Sequence, residues 1–297
     1  MKFIKKSVFV LVILGAITTY FVTFYIAPNV IVGKHEGTFN INWHSYNFNA
    51  EQTSILTNDS ITLDSYFVTP KTDSIKGIII MVHGIGSCKE PFANLAEKLA
   101  LKQVATVLFD LRAHGKSGGE YCTYGFYEKF DIQKIVSEIK LKYPTTPIGI
   151  WGTSLGGAVA IQALELDNRI KFGIIECTFT YLEQIVYDYQ KRALFGLGFR
   201  PMTNKALKIA GEIANFNPEQ VSPINSVKNI TQPMFLAHGD KDIHILPKYG
   251  KELFQNLASA DKEFVLVEGA DHNYIHKNGG IEYENKVINF INKQLAP

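Results

Sequence analysis

Six short apolar runs recur between longer stretches of helical periodicity. That alternation restricts the fold of this 297-residue chain more than any other property. The runs are Gly77–Val82, Ala105–Phe109, Pro147–Trp151, Phe172–Ile175, Pro233–Ala237 and Glu263–Val267, with amphipathic segments such as Phe92–Leu101, Lys129–Leu141 and Gly157–Leu166 between them. A strand that is apolar throughout must be covered on both faces, and helices between successive strands supply the cover. The pattern therefore predicts an α/β fold with a mostly parallel sheet. Upstream, Tyr46–Thr69 alternates around the turn signal Thr57-Asn58-Asp59-Ser60, which predicts an antiparallel hairpin at one edge of the same sheet. One interval breaks the rhythm. Thr178–Gln232 is far longer than a crossover needs and mixes Tyr181, Tyr187, Tyr189, Phe195 and Phe199 with Lys191, Arg192 and Arg200, which predicts a helical insertion over the end of the sheet.

The N-terminus has a different character. Ser7–Ala27 carries no charge, and as a helix of 21 residues it would be roughly 31 Å long, close to the ~30 Å hydrocarbon core of a bilayer. Lys2, Lys5 and Lys6 precede it, Tyr20 and Tyr25 stand near its far end, and Pro28-Asn29 closes it. Residues 1–28 thus read as a membrane anchor with a cytoplasmic N-terminus, residues 29–45 as a connector, and residues 46–297 as an extracytoplasmic domain. A cleaved signal, releasing a secreted domain, would call for a shorter apolar core and a better cleavage site than Tyr25-Ile26-Ala27. A buried core helix is rarely apolar on every face. The three N-terminal lysines exceed the whole formal excess of +2 from 30 basic and 28 acidic residues, so charge points to topology and away from a nucleic-acid-binding surface. Three cysteines make no disulfide scaffold. In an exported domain Cys88 and Cys122 could pair, leaving Cys177 free.

The chemistry centres on Gly152-Thr-Ser154-Leu-Gly156. A strand run ends just before it and a helical run begins just after it, the context of a nucleophile elbow. Glycines flank the serine because the turn is strained and neighbouring chain crowds it, while a helix N-terminus behind the hydroxyl favours developing negative charge. A serine hydroxyl needs a base held by a third group. His272, just past the last strand run, is the best placed of eight histidines. For the acid, Asp242 in His238-Gly-Asp-Lys-Asp242 has a suitable spacing, with Asp240 and Glu176 as alternatives. The loop His83-Gly84-Ile85-Gly86 follows the first parallel run, so the backbone N–H groups of Ile85 and Leu155 are the expected oxyanion donors, with His83 bracing the loop. Asp110, Arg112 and His114 read as a hydrogen-bonded structural loop. The pairs His238/His244 and His272/His276 lack acidic or thiol partners at ligand spacing, so no metal is expected.

Six segments in order, His83-Gly-Ile-Gly86, Phe109–Gly119, Gly152–Gly156, Ser222-Pro223, His238–Asp242 and Gly269–His272, resemble the α/β-hydrolase superfamily. The likeness is to the branch of monoacylglycerol-lipase-like and Bem46-like serine hydrolases, and it covers roughly residues 50 to 295. The resemblance implies an eight-stranded sheet with helices on both faces and a small cap at about 178–230, between strands six and seven. It carries over Ser154, Asp242 and His272 as the catalytic set. Ala113 departs from the glycine more common in that loop. The expected activity is cleavage of carboxylic esters through an acyl-enzyme, on a small-molecule or lipid-derived acyl ester, with no cofactor. A serine peptidase or thioesterase would use the same machinery, and a non-catalytic binding protein would not require the intact set.

Overall fold

Isoleucine and valine are concentrated in central strand segments such as Gly77–Val82 and Ile170–Glu176, because branched side chains pack well on a pleated, covered surface. The computed structural model describes residues 11–296 apart from 12, 16 and 73. Lys2, Lys5 and Lys6, and the start of the expected span at residues 7–10, lie outside the described residues. The strands are β1 (Asn49–Leu56), β2 (Thr62–Thr69), β3 (Gly77–Val82), β4 (Val104–Phe109), β5 (Ile148–Thr153), β6 (Ile170–Glu176), β7 (Met234–Gly239) and β8 (Lys262–Val267). They form one sheet in the order β1-β2-β4-β3-β5-β6-β7-β8. The β1–β2 and β2–β4 pairs are antiparallel and the other neighbours are parallel, so the expected hairpin does extend one edge.

The main helices are α1 (Ile13–Val32), α2 (Ala93–Ala100), α3 (Glu128–Lys142), α4 (Leu155–Leu166), α5 (Leu182–Ala193), α6 (Arg200–Ala214), α7 (Pro247–Asn256) and α8 (Ile275–Gln294). Every residue of β3 and β4 is buried, as a central parallel strand requires. Ile78, Ile80 and Val82 share one core with α3 and α4, while Ile79 and Met81 face the other with α2 and α8. Each of these side chains contributes about 2 kcal/mol by burial, which offsets the entropy of ordering the strand. The long interval between β6 and β7 folds into α5 and α6 with shorter helical turns after them.

Two expectations need correction. Pro28 does not end the first helix, which runs on to Val32. A π-turn at Val22–Ile26, with the Ala27 N–H bonded to the Val22 carbonyl, re-registers the helix so that Pro28 falls in the first turn of the next segment. There its missing N–H costs little. Nor is residues 29–45 a free connector: Ile31 and Val32 are buried in the first core, and α1 packs against α6, with Lys205 Nζ 5.2 Å from the Phe24 ring centre. Upstream, Leu11, Leu14, Ile17 and Phe21 are exposed. Among the described residues, α1 alone is long and apolar enough to cross a membrane. The pairing of Cys88 with Cys122, left open by the sequence, is not made: each is a free buried thiol like Cys177.

Candidate active site

β5 delivers Ser154 to the end of the sheet in a conformation only a forced turn would adopt, with φ 56° and ψ −120°. Steric crowding explains both neighbouring glycines. A Cβ on Gly152 would meet the Gly156 carbonyl oxygen at 2.2 Å, and one on Gly156 would meet the Val82 carbonyl oxygen at 2.0 Å. The Ser154 N–H donates to the Glu176 carbonyl at 2.8 Å, and Thr178 Oγ1 donates to the Ser154 carbonyl at 2.7 Å. The turn is thereby locked to the start of the cap, and Ser154 becomes the residue from which α4 begins. A strained backbone held this way persists only because the surroundings over-determine it.

The loops after β7 and β8 converge on that serine. Ser154 Oγ donates to His272 Nε2 at 2.9 Å, and His272 Nδ1 donates to Asp242 Oδ2 at 2.7 Å. Asp242 Oδ1 accepts from the N–H groups of His244 and Ile245, both at 2.8 Å. Burial opposes ionisation of Asp242, but hydrogen bonds from His238, His272 and the Ile245 N–H outweigh it and hold the carboxyl well below the usual carboxylate range. His238 is the contributor that the sequence reading missed. Its Nε2 lies 2.7 Å from the Ile245 carbonyl and 3.4 Å from Asp242 Oδ2, with the ring fully buried.

The two alternative acids stand elsewhere. Asp240 is 3.8 Å from Lys241 Nζ, and the carboxylate bonded to His272 is that of Asp242. Glu176 accepts from the Tyr283 hydroxyl and lies 3.1 Å from His276 Nε2. Burial works against its charge, yet His276, Tyr283 and Trp151 together hold Glu176 below its ordinary value.

The loop after β3 closes the other side of the serine. A Cβ on Gly84 would come within 3.3 Å of Ser154 Cβ, so this loop touches Ser154 directly. Among the described residues, the N–H groups of Ile85 and Leu155 have no hydrogen-bond partner, which leaves both available to an oxyanion. His83 spans the loop, with Nδ1 donating to the Gly84 carbonyl at 2.8 Å and Nε2 accepting from the Leu111 N–H at 3.0 Å. Burial, with His114 beside it, lowers its pKa to about 4 and keeps it neutral in that tautomer. Asp110 accepts from Lys89 Nζ at 2.8 Å, and Arg112 pairs with Asp131 at 2.6 Å, so these charges are spent tying the loop to neighbouring elements. Ala113 adopts φ 58°, the left-handed conformation for which glycine is the usual choice.

Among the described residues, one group brings metal-type ligand atoms together: Cys177, Asp242 and His272, within 4.8 Å of one another. Burial pushes the Cys177 thiol well up, and the other two already bond each other, so the set suits proton transfer better than metal ligation.

The family model described as serine aminopeptidase, S33, matches residues 73–214. Mouse monoglyceride lipase is 32% identical over 254 residues, covering 74% of this chain and 82% of that lipase. The chain belongs to the α/β-hydrolase superfamily of serine hydrolases. Within it, the branch is the monoglyceride-lipase-like and Bem46-like one. The Bacillus subtilis protein YqkD is 30% identical over 191 residues, a match spanning 62% of this chain and 61% of that protein's length. In fold, an esterase from Pyrococcus furiosus superposes with a TM-score of 0.74 at 23% identity, covering 90% of this chain and 99% of the esterase.

In this hydrolase two cavities meet at Ser154. One, of about 570 Å³, carries polar groups from Asn94, Lys98, Glu176, His272, His276 and Glu284. The other, of about 300 Å³, is apolar, walled by Ile31, Phe179, Ile185 and Ile245 among others. Tyr189 of α5 lines both and stands between them. A larger cavity of about 790 Å³ beside α6 does not reach the serine. Arg192, stacked on Tyr189 at 4.2 Å, donates to the carbonyls of Ile243 and of His244, the latter at 2.6 Å, and so ties the cap to the Asp242 loop.

Proposed function

We propose that this α/β hydrolase of the esterase and lipase type is a membrane-anchored enzyme that cleaves carboxylic acyl esters through Ser154, His272 and Asp242. The observation that carries this is the continuous bonded line from Ser154 Oγ through His272 to Asp242, set between an apolar and a polar cavity. His272 Nε2 takes the hydroxyl proton as Ser154 Oγ attacks the ester carbonyl. The N–H groups of Ile85 and Leu155 hold the oxyanion, and Asp242 stabilises the imidazolium. Collapse expels the alcohol, which takes the proton from His272. Water, deprotonated by the same imidazole, then releases the acid from the acyl-enzyme. The apolar cavity suits the acyl group and the polar one the alcohol.

Exposed Leu14, Ile17 and Phe21 on α1, with Leu11 just before it, support anchoring through a span at about residues 7–27, since such a surface is costly in water and favourable in lipid. The lysines before it support a cytoplasmic N-terminus, with residues 46–297 as the extracytoplasmic catalytic domain and 178–230 as its cap. A peptidase is the second reading, favoured by buried Glu176, a carboxylate that could receive a free amine in the polar cavity. The His276 and Tyr283 partners of Glu176 and the apolar second cavity favour the ester. The test is hydrolysis of a short-chain p-nitrophenyl ester by the full-length protein, with Ser154→Ala expected to lower kcat on the order of 10⁴-fold or more. Undiminished turnover in that variant would refute the assignment.

A further inference from the structure

The last turn of α1 lies where a simple tether has no reason to be. Val30 and Ile31 line the apolar cavity that reaches Ser154 and Leu155, across from Phe179, Ile185 and Tyr189. Ile31 is buried inside, while Val30 is 68% exposed and stands at the rim. Backbone bonds fix this wall in place. Tyr124 Oη donates to the Ile31 carbonyl at 2.7 Å, and the Cys122 N–H donates to the Val32 carbonyl at 2.9 Å. Just beyond, the His35 N–H donates to the Ala113 carbonyl at 2.8 Å and its carbonyl accepts from the Gly115 N–H at 2.9 Å. A segment bonded in this way at four points to the connection between β4 and α3 is a structural part of the cavity.

The same helix presents Phe21, Tyr25 and Ile26 to the outside, upstream of the rim at Val30. Apolar surface therefore runs along α1 from its exposed turns to the cavity beside the nucleophile.

We propose that the last turn of α1, through Val30 and Ile31, is the acyl-selecting wall of the active site. The acyl chain of a lipid-derived ester then passes from the bilayer to Ser154 along this helix. The proposal rests on the ester-hydrolase reading and names the feature that sets its substrate class. Chain-length preference is set by the volume of such a pocket, since one methylene more or less changes discrimination by ~10-fold or more.

The experiment uses full-length protein in lipid nanodiscs and p-nitrophenyl esters from acetate to dodecanoate. Val30→Trp places bulk at an exposed rim position, where folding is not at stake. It should lower the dodecanoate-to-acetate ratio of kcat/KM by about tenfold. Ile31→Ala widens the interior and should move the optimum toward longer chains. Parental chain-length profiles in both variants, with a parent that hydrolyses acetate normally, would overturn the acyl wall alone. A parent that hydrolyses no ester would overturn the ester reading beneath it.

Discussion

His238 reaches Asp242 from below: one fully buried imidazole nitrogen lies 3.4 Å from the carboxylate and 2.7 Å from the carbonyl of Ile245. It holds the loop that brings Asp242 to His272 at both Asp242 and Ile245. A hydrogen bond to a charged group is worth about 1.5–3 kcal/mol, so His238→Ala should lower kcat roughly 10- to 100-fold, with the loss falling on kcat more than on KM. Steady-state kinetics beside a thermal melt would check it. A lowered Tm with unchanged kcat in the surviving folded protein would leave His238 only a packing role.

Gly156 is fixed by the backbone of another strand, since its Cβ would stand 2.0 Å from the Val82 carbonyl oxygen. Backbone cannot rotate away as a side chain can. Gly156→Ala should cost about 1–3 kcal/mol or more and lower turnover by displacing Ser154. Urea denaturation measures the first and ester hydrolysis the second. A stability within a few tenths of a kcal/mol of the parent would show that the elbow has slack.

Asp242 gives the fold an acid sensitivity of definite sign. Its carboxyl is held below the ordinary range despite burial, so it contributes stability above pH ~4, and that contribution is lost as pH falls toward its folded value. Asp242→Asn should therefore lose less stability than the parent between neutral pH and about pH 2, as urea midpoints across that range would show. A steeper loss in the variant would reverse the assigned sign.

His276 answers to Glu176. Burial by itself lowers the His276 pKa, but the carboxylate 3.1 Å away raises it above the ordinary 6.5. The pair thus stabilises the fold below pH ~6.5 and ceases to do so as pH rises through the folded value. In Glu176→Gln burial and Lys98 still lower the value and Glu284 alone still raises it, so the titration midpoint should drop below that of the parent. Imidazole NMR titration reads this directly, and an unmoved midpoint would contradict the coupling.

The alternation of apolar runs and amphipathic segments is legible because a covered parallel strand leaves no room for polar side chains, as the fully buried β3 and β4 show. Gly152 and Gly156 are legible for a similar reason: contacts with other backbone forbid any side chain there. His238 was not, because a histidine at a strand end gives no local sign of the carboxylate four residues on that it will hold. Val30 and Ile31 were read as connector because Pro28 signals a stop, and the π-turn that absorbs the proline leaves no compositional trace. The kink of α8 at Gly280, with φ 52° and ψ −150°, has no counterpart in the apolar periodicity.

The account stands on Ser154 as a nucleophile activated by His272, and the most direct measurement is labelling of the full-length protein with a fluorophosphonate, the adduct located by peptide mass spectrometry. The account predicts one adduct per chain, on Ser154, with the labelling rate lowered by a factor on the order of 10² or more in His272→Ala. An adduct on another residue, or an unchanged rate in His272→Ala, would contradict it.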